Sequence, residues 1–227
     1  MTPARRPVSE RRPPGVATVL GRLEKAYGPR PWRAAGRPLD SLVGTILSQH
    51  TNDRNRDTAM ARLKGRFPSW DEAADAPLPA IADAIRPAGL HRRKAETIRT
   101  VLRRIRDDRG RADLRFLRRW STPKVQEYLR ALPGVGPKTA ACVLLFCLKR
   151  PALPVDTHVH RVTRRLGLIG PKTTAEQAHE VLAEMVPEEN VYAFHVLAIQ
   201  HGREVCHARR PDHAACCLRD LCPSADV

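Results

Sequence analysis

The sequence has few aromatic residues and no long apolar run. Phenylalanine, tryptophan and tyrosine together make up 4% of its 227 residues, and alternating strand-like patterns are short. No segment approaches the roughly twenty consecutive apolar residues of a membrane span, so we expect no membrane protein. The first residues also lack the apolar centre of a secretory signal. We therefore expect a cytoplasmic protein, associated with the nucleoid if the source is bacterial.

Apolar residues recur instead with a helical period along most of the chain. The pattern predicts a helix over 16–27 and an apolar helix from Ser41 to about Ser48, which Asp40 is positioned to cap. Further amphipathic segments lie near 53–66, 78–86, 92–107, 123–131, 138–148, 158–167, 174–185 and 191–204. We predict an all-α fold with about ten short helices.

The chain is strongly basic. It has 40 Lys and Arg against 24 Asp and Glu, a formal charge of +16. Such a charge favours an anionic partner, above all nucleic acid, although it also serves solubility alone. Residues 1–14, with four Arg and four Pro, are predicted to be a disordered basic tail. Residues 91–120 hold twelve Lys and Arg, which indicate either a solvated helix face or a DNA-facing surface.

The segment Leu-Pro-Gly-Val-Gly-Pro-Lys-Thr-Ala at 132–140 lies between two predicted helices. Gly134 and Gly136 permit a close approach of the backbone around Val135 to a ligand. Pro137 suits the first turn of the second helix, whose free N–H groups form an anion site. This pattern predicts a helix-hairpin-helix that binds a nucleic-acid backbone without reading its sequence.

Two ionisable residues stand out near this hairpin. Lys138 begins the second helix, where it is either a phosphate contact or an amine nucleophile. Asp156 precedes another helical segment, where a helix N-cap is the ordinary interpretation. A carboxylate held there can also stabilise a developing positive charge or relay protons.

Four of the six cysteines, Cys206, Cys216, Cys217 and Cys222, lie close to the end of the sequence. Without an export signal, such a cluster indicates a metal site more than disulfides. Cys142 and Cys147 fall in an apolar helix and are expected to be core residues.

With these motifs the chain resembles the endonuclease III family of helix-hairpin-helix DNA glycosylases, from about Val16 to Pro223. The resemblance implies a helical barrel lobe over 37–150 with six helices and the hairpin. It also implies a discontinuous metal-cluster lobe made of 15–36 and 151–227.

The resemblance implies a bifunctional DNA glycosylase and AP lyase that excises oxidised pyrimidines in base excision repair. Lys138 would form a Schiff base with the sugar and cut the strand by β-elimination, with Asp156 assisting. The implied partner is double-stranded DNA with oxidised pyrimidines or abasic sites, bound by a monomer. Its implied DNA-binding residues are Gln49, His50, Lys94, Gly134, Val135 and Gly136, with Gln49 or His50 filling the gap of the extruded base. The alternatives are a monofunctional glycosylase for another lesion or mismatch, and a non-catalytic damaged-DNA-binding protein.

The resemblance also implies a [4Fe-4S] cluster with the ligand spacing C-x6-C-x2-C-x5-C. In this chain the spacing falls on Cys206, His213, Cys216 and Cys222, so histidine takes the second position. The fourth ligand would be His213 or the additional Cys217. A zinc site or a lost metal site is the alternative, since three cysteines and one histidine also suit structural zinc.

Overall fold

The structure, a computed structural model, describes residues 13–34 and 36–225. This part of the chain is helical and contains no β-strand. The predicted tail at 1–14 lies outside it except for Pro13 and Pro14. The eleven α-helices of the described residues are α1 Val16–Tyr27, α2 Pro38–Ser48, α3 Asp53–Arg66, α4 Trp70–Asp75, α5 Leu78–Ala84, α6 His91–Arg109, α7 Thr122–Ala131, α8 Pro137–Cys147, α9 Thr157–Arg165, α10 Ala175–Met185 and α11 Val191–Glu204. None of these described helices is long and apolar enough to cross a bilayer.

The helices form two compact units. One unit contains the described residues up to Trp32 and from Pro151 onward, and the other is Arg33–Arg150. In the first unit α1 and α9 pack against α11. In the second, α2 packs against α8, and α6 packs against α4 and α5. Cys142 and Cys147 are buried in α8, as the apolar pattern predicted.

The predicted start of α2 was wrong. Asp40 does not cap α2, because the helix begins earlier, at Pro38, and Asp40 lies in its first turn. Its carboxylate instead accepts hydrogen bonds from Lys64 Nζ at 2.6 Å and Trp70 Nε1 at 2.8 Å.

Helix α4 was not predicted, since six residues are too few to show a period. It begins where Ser69 Oγ accepts a hydrogen bond from the Glu72 N–H.

A single glycine permits the close packing of α9 and α11. A Cβ atom added to Gly202 of α11 would lie 2.9 Å from His158 Cβ and 3.1 Å from its Nδ1. The Gly202 carbonyl oxygen also accepts a hydrogen bond from Arg161 Nη2 at 2.7 Å. Because His158 Cβ moves only with the backbone of α9, this contact fixes the distance between the two helices.

We predict that Gly202→Ala lowers the free energy of unfolding by about 1–3 kcal/mol, because the added methyl overpacks the contact between α9 and α11. Thermal unfolding of the full chain measures this effect. Gly21→Ala is the matched control, since a Cβ there meets nothing within 4 Å. It should leave stability unchanged or raise it by up to about 1 kcal/mol through helix propensity. A Gly202→Ala protein as stable as the control would contradict the packing argument.

Candidate functional site

The predicted hairpin is a tight turn between α7 and α8. The Val135 N–H donates to the Leu132 carbonyl oxygen at 3.1 Å, with Pro133 and Gly134 at the two central positions. Gly134 has a φ of 73°, which suits the third position of a type II turn. A Cβ atom on Gly134 would lie 2.8 Å from the methyl group of Thr97 on α6. Glycine is therefore required there both by conformation and by contact.

The N-terminus of α8 is open. Its N-cap, Gly136, offers no side chain to the first N–H groups, and Pro137 occupies the first turn as predicted. These unpaired N–H groups form a site for an anion such as a backbone phosphate. Lys138 is the next residue and is half-buried. Its amine makes no hydrogen bond to the part of the chain that the structure describes.

Asp156 is the N-cap of α9. Its Oδ1 accepts hydrogen bonds from the N–H groups of His158 at 2.9 Å and Val159 at 2.8 Å. Its Oδ2 receives no hydrogen bond from the described residues. The capping interpretation is thus correct, and it leaves one carboxylate oxygen available for other chemistry. Lys138 and Asp156 belong to different units.

Two histidines, which the sequence analysis missed, hold the backbone that leads to Asp156. Nδ1 of His195 donates to the Pro154 carbonyl oxygen at 2.9 Å. Nδ1 of His179 donates to the Leu153 carbonyl oxygen, also at 2.9 Å. Both histidines are far along the chain, on α11 and α10, so no local pattern could have revealed this role.

Gln49 and His50 are exposed directly after α2, which ends at Ser48. His50 has a φ of 52°, in the left-handed region. A second exposed residue shares this conformation: Leu90, directly before α6, has a φ of 45° and is 54% exposed. The sequence analysis did not identify Leu90 as a candidate. An apolar residue between a glycine and a helix start is the signal that could have identified it.

Lys94 was predicted to bind DNA, and this prediction is wrong. The residue is buried, with a relative exposure of 2%. Its ammonium group donates to three backbone carbonyl oxygens, those of Leu47 at 2.8 Å, Gln49 at 2.5 Å and Ala88 at 2.8 Å. Three acceptors use all three of its protons. Burial lowers the pKa of Lys94 from its usual value. No proton of this amine is left for a phosphate.

The basic stretch at 91–120 is largely bonded within the protein. Seven of its twelve cations contact carboxylates, carbonyl oxygens or aromatic rings: Lys94, Arg103, Arg104, Arg106, Arg109, Arg111 and Arg115. Arg109 lies 3.9 Å from the ring centroid of Phe116 and 4.6 Å from that of Trp120. Among the described residues the other five have no such partner: Arg92, Arg93, Arg99, Arg118 and Arg119. These five would give up no internal contact on binding a phosphate.

The four predicted metal ligands share one cavity. Cys206, His213, Cys216 and Cys222 all line one small cavity, whereas Cys217 does not line it. Three protein groups contact the sulfur atoms. Arg165 Nη1 lies 3.1 Å from Cys206 Sγ. His201 Nε2 lies 3.6 Å from Cys216 Sγ, and Cys222 Sγ donates to the Arg165 carbonyl oxygen at 3.3 Å.

Two cysteines of this loop have raised pKa values. Burial, and then the negative charge of neighbouring thiolates, raises the pKa of Cys216 and Cys222 above the usual value. A metal centre would reverse this effect by stabilising the thiolates. No three His, Cys, Asp or Glu side chains of the described residues are close enough to hold a single metal ion.

Known proteins are similar to this chain in sequence. The model of the HhH-GPD superfamily base excision DNA repair protein matches residues 43–188. Endonuclease III of Thermotoga maritima is 35% identical over 185 residues, which are 82% of either chain. A relative from Arabidopsis thaliana that carries the name of a DNA glycosylase is 38% identical over 165 residues; this chain spans 56% of its length, and the match covers 73% of this chain.

A solved structure supports the same assignment. A trapped endonuclease III–DNA covalent intermediate superposes with a TM-score of 0.79 at 27% identity, over 93% of this chain and 95% of that chain. Its all-helical fold corresponds to the one described above. The chain therefore belongs to the HhH-GPD superfamily of base excision DNA repair proteins.

Proposed function

We propose that this protein is a bifunctional DNA glycosylase and AP lyase that removes oxidised pyrimidines from double-stranded DNA. The observation that carries the proposal is the position of Lys138, in the first turn of a hairpin helix whose N-terminus is open. The free N–H groups of that turn would bind a backbone phosphate and so bring the sugar to the amine. The 27% identical endonuclease III structure contains a covalent intermediate with DNA, which supports a covalent mechanism.

The chemistry divides between the two ionisable residues. The neutral amine of Lys138 attacks C1′ of the damaged nucleotide as the base departs with the electron pair of the glycosidic bond. Loss of the sugar ring oxygen from C1′ then leaves an imine, and removal of a C2′ proton expels the 3′ phosphate. The charge of Asp156 stabilises the positive sugar as the base leaves. Its Oδ2, which the capping hydrogen bonds leave available, is the oxygen suited to this role.

Base removal requires that the nucleotide leave the stack. His50 and Leu90, which are exposed and share a positive φ, are the side chains that we place in the duplex at that point. An apolar wedge such as Leu90 separates stacked bases, and the planar imidazole of His50 replaces the lost base. The five arginines without internal partners in the 91–120 stretch would contact phosphates and position the duplex.

The residues of the metal loop fit a [4Fe-4S] cluster held by Cys206, His213, Cys216 and Cys222. The shared cavity supports this ligand set, because it includes His213 and leaves out Cys217. When bound, the cluster would hold the loop in one conformation and keep its arginines in place. Arg165, which contacts Cys206 and two loop carbonyl oxygens, would add positive charge next to the cluster.

We predict that wild-type protein forms a covalent adduct with an abasic duplex in the presence of borohydride, and that Lys138→Gln forms none. Gel electrophoresis and mass spectrometry measure the adduct. Lys124→Gln is the matched control, since it removes an exposed lysine of the same unit. An adduct that persists in Lys138→Gln would show that another amine reacts. Base release by the wild type without strand cleavage would indicate a monofunctional glycosylase.

We predict that Asp156→Asn slows base release from an oxidised-pyrimidine duplex by about 10²–10⁴-fold. Asparagine is as good an N-cap as aspartate, so α9 should keep its start while the charge is lost. Single-turnover kinetics measure the rate, and thermal unfolding verifies the cap. Base release at the wild-type rate would exclude a chemical role for this carboxylate. No base release by wild type from any oxidised pyrimidine would favour a binding protein.

We predict that anaerobically purified wild type contains iron and acid-labile sulfide, and that His213→Ala loses both. Cys217→Ser should keep the full metal content and visible spectrum, because Cys217 does not line the cavity. His213→Cys should restore the cluster through a fourth thiolate. If Cys217→Ser loses the iron and His213→Ala keeps it, Cys217 is the fourth ligand. A colourless protein that contains zinc would overturn the cluster itself.

A further inference from the structure

The ammonium group of Lys94 joins two separate loops. Its acceptors are the carbonyl oxygens of Leu47 and Gln49, at the end of α2, and of Ala88, in the turn before α6. These segments are about forty residues apart in the chain, and Lys94 is the group that bonds to both. The hydrogen-bonding capacity of the ammonium group is fully used, because its three N–H donors meet three acceptors.

The surroundings of this amine are unusual for a buried lysine. Its hydrogen-bond acceptors are neutral carbonyl oxygens, not the carboxylate with which a buried cation commonly pairs. Carbonyl oxygens compensate the charge only while all of them point at it. A displacement of either loop would therefore leave the cation undersolvated, which ties the position of one loop to that of the other.

Each loop carries one of the side chains that we place in the duplex. His50 follows Gln49 directly, and Leu90 lies two residues after Ala88. Both have a positive φ, which residues other than glycine rarely adopt without support from their surroundings. One helical turn beyond Lys94, Thr97 contacts the hairpin at Gly134. The first turns of α6 thus meet three candidate DNA-contacting segments.

We propose that Lys94 is a positioning residue that couples the His50 and Leu90 loops, so that both side chains enter the duplex in one step when a nucleotide leaves the stack. The proposal rests on the proposed glycosylase function. It places the effect of Lys94 on nucleotide extrusion and not on the covalent chemistry of Lys138. The coupling should therefore matter for a stacked, paired nucleotide and not for a single-stranded abasic site, where there is nothing to extrude.

A double-mutant cycle tests the coupling without changing Lys94. His50→Ala, Leu90→Ala and the double variant are compared with wild type in the rate of extrusion. A 2-aminopurine next to the lesion reports this rate through its fluorescence in stopped flow. If the loops act together, the combined effect should depart from the product of the single effects by at least about threefold. Effects that multiply within experimental error would overturn the proposal.

A second cycle is made in a Lys94→Met background. Methionine keeps an unbranched side chain, one atom shorter, that donates no hydrogen bond, so the departure from multiplicative effects should disappear. Extrusion should slow by about tenfold or more, while borohydride trapping on a single-stranded abasic oligonucleotide stays within about twofold of wild type. Arg104→Met is the matched control, because it removes an exposed cation from the same helix without touching either loop.

The outcomes separate this proposal from the proposed function. If wild type traps no abasic substrate at all, the lyase function fails. If wild type traps normally but the His50 and Leu90 effects multiply, only the coupling by Lys94 fails. Equal losses of trapping and extrusion in a folded Lys94→Met protein would also overturn it, because they indicate a general defect. Should Lys94→Met not fold by circular dichroism, multiplicative effects in the cycle with Lys94 intact would still overturn the proposal.

Discussion

The unpaired backbone groups at helix ends are the constraint on which this all-helical protein depends. Every helix leaves N–H groups at its start and carbonyl oxygens at its end without a partner. Asp156 satisfies two such N–H groups at the start of α9, and Lys94 satisfies the carbonyl oxygens of Leu47 and Gln49 at the end of α2. The start of α8 is left open behind Gly136, where the proposed substrate would supply the missing acceptor. The candidate functional residues are thus those that complete or expose helix ends.

Helix α9 also forms hydrogen bonds with the metal loop. It begins at Asp156, and its later arginines bind the segment that follows α11. Arg161 donates to the carbonyl oxygens of Gly202 and Cys206, and Arg165 donates to those of His207 and Ala208. One helix of nine residues therefore connects the proposed catalytic carboxylate to the backbone of the proposed cluster ligands. Because Gly202 brings α11 close to α9, the helix has little freedom to shift.

The sequence predicted those features that depend on neighbouring residues. The bounds of α1, α3 and α11 agree with their apolar periods, and Pro137 begins α8 as its fixed φ suggests. Features that depend on distant residues were missed. Lys94 was expected to bind DNA, and its actual role was missed because its acceptors lie on remote segments. The spacing of the metal loop likewise left the fourth ligand open between His213 and Cys217, and only the folded loop shows that His213 lines the cavity with the three cysteines.

Because many cations of the basic stretch have internal partners, the formal charge of +16 overstates how many of them are free to contact DNA. Cations release counterions from DNA only when they reach its phosphates, and each such contact contributes about −0.9 to the slope of log affinity against log salt. An arginine that already bonds a carboxylate or lies against Phe116 would have to leave that partner in order to contact a phosphate. The contribution of residues 91–120 to the ionic-strength dependence of DNA binding should therefore be smaller than their twelve cations suggest.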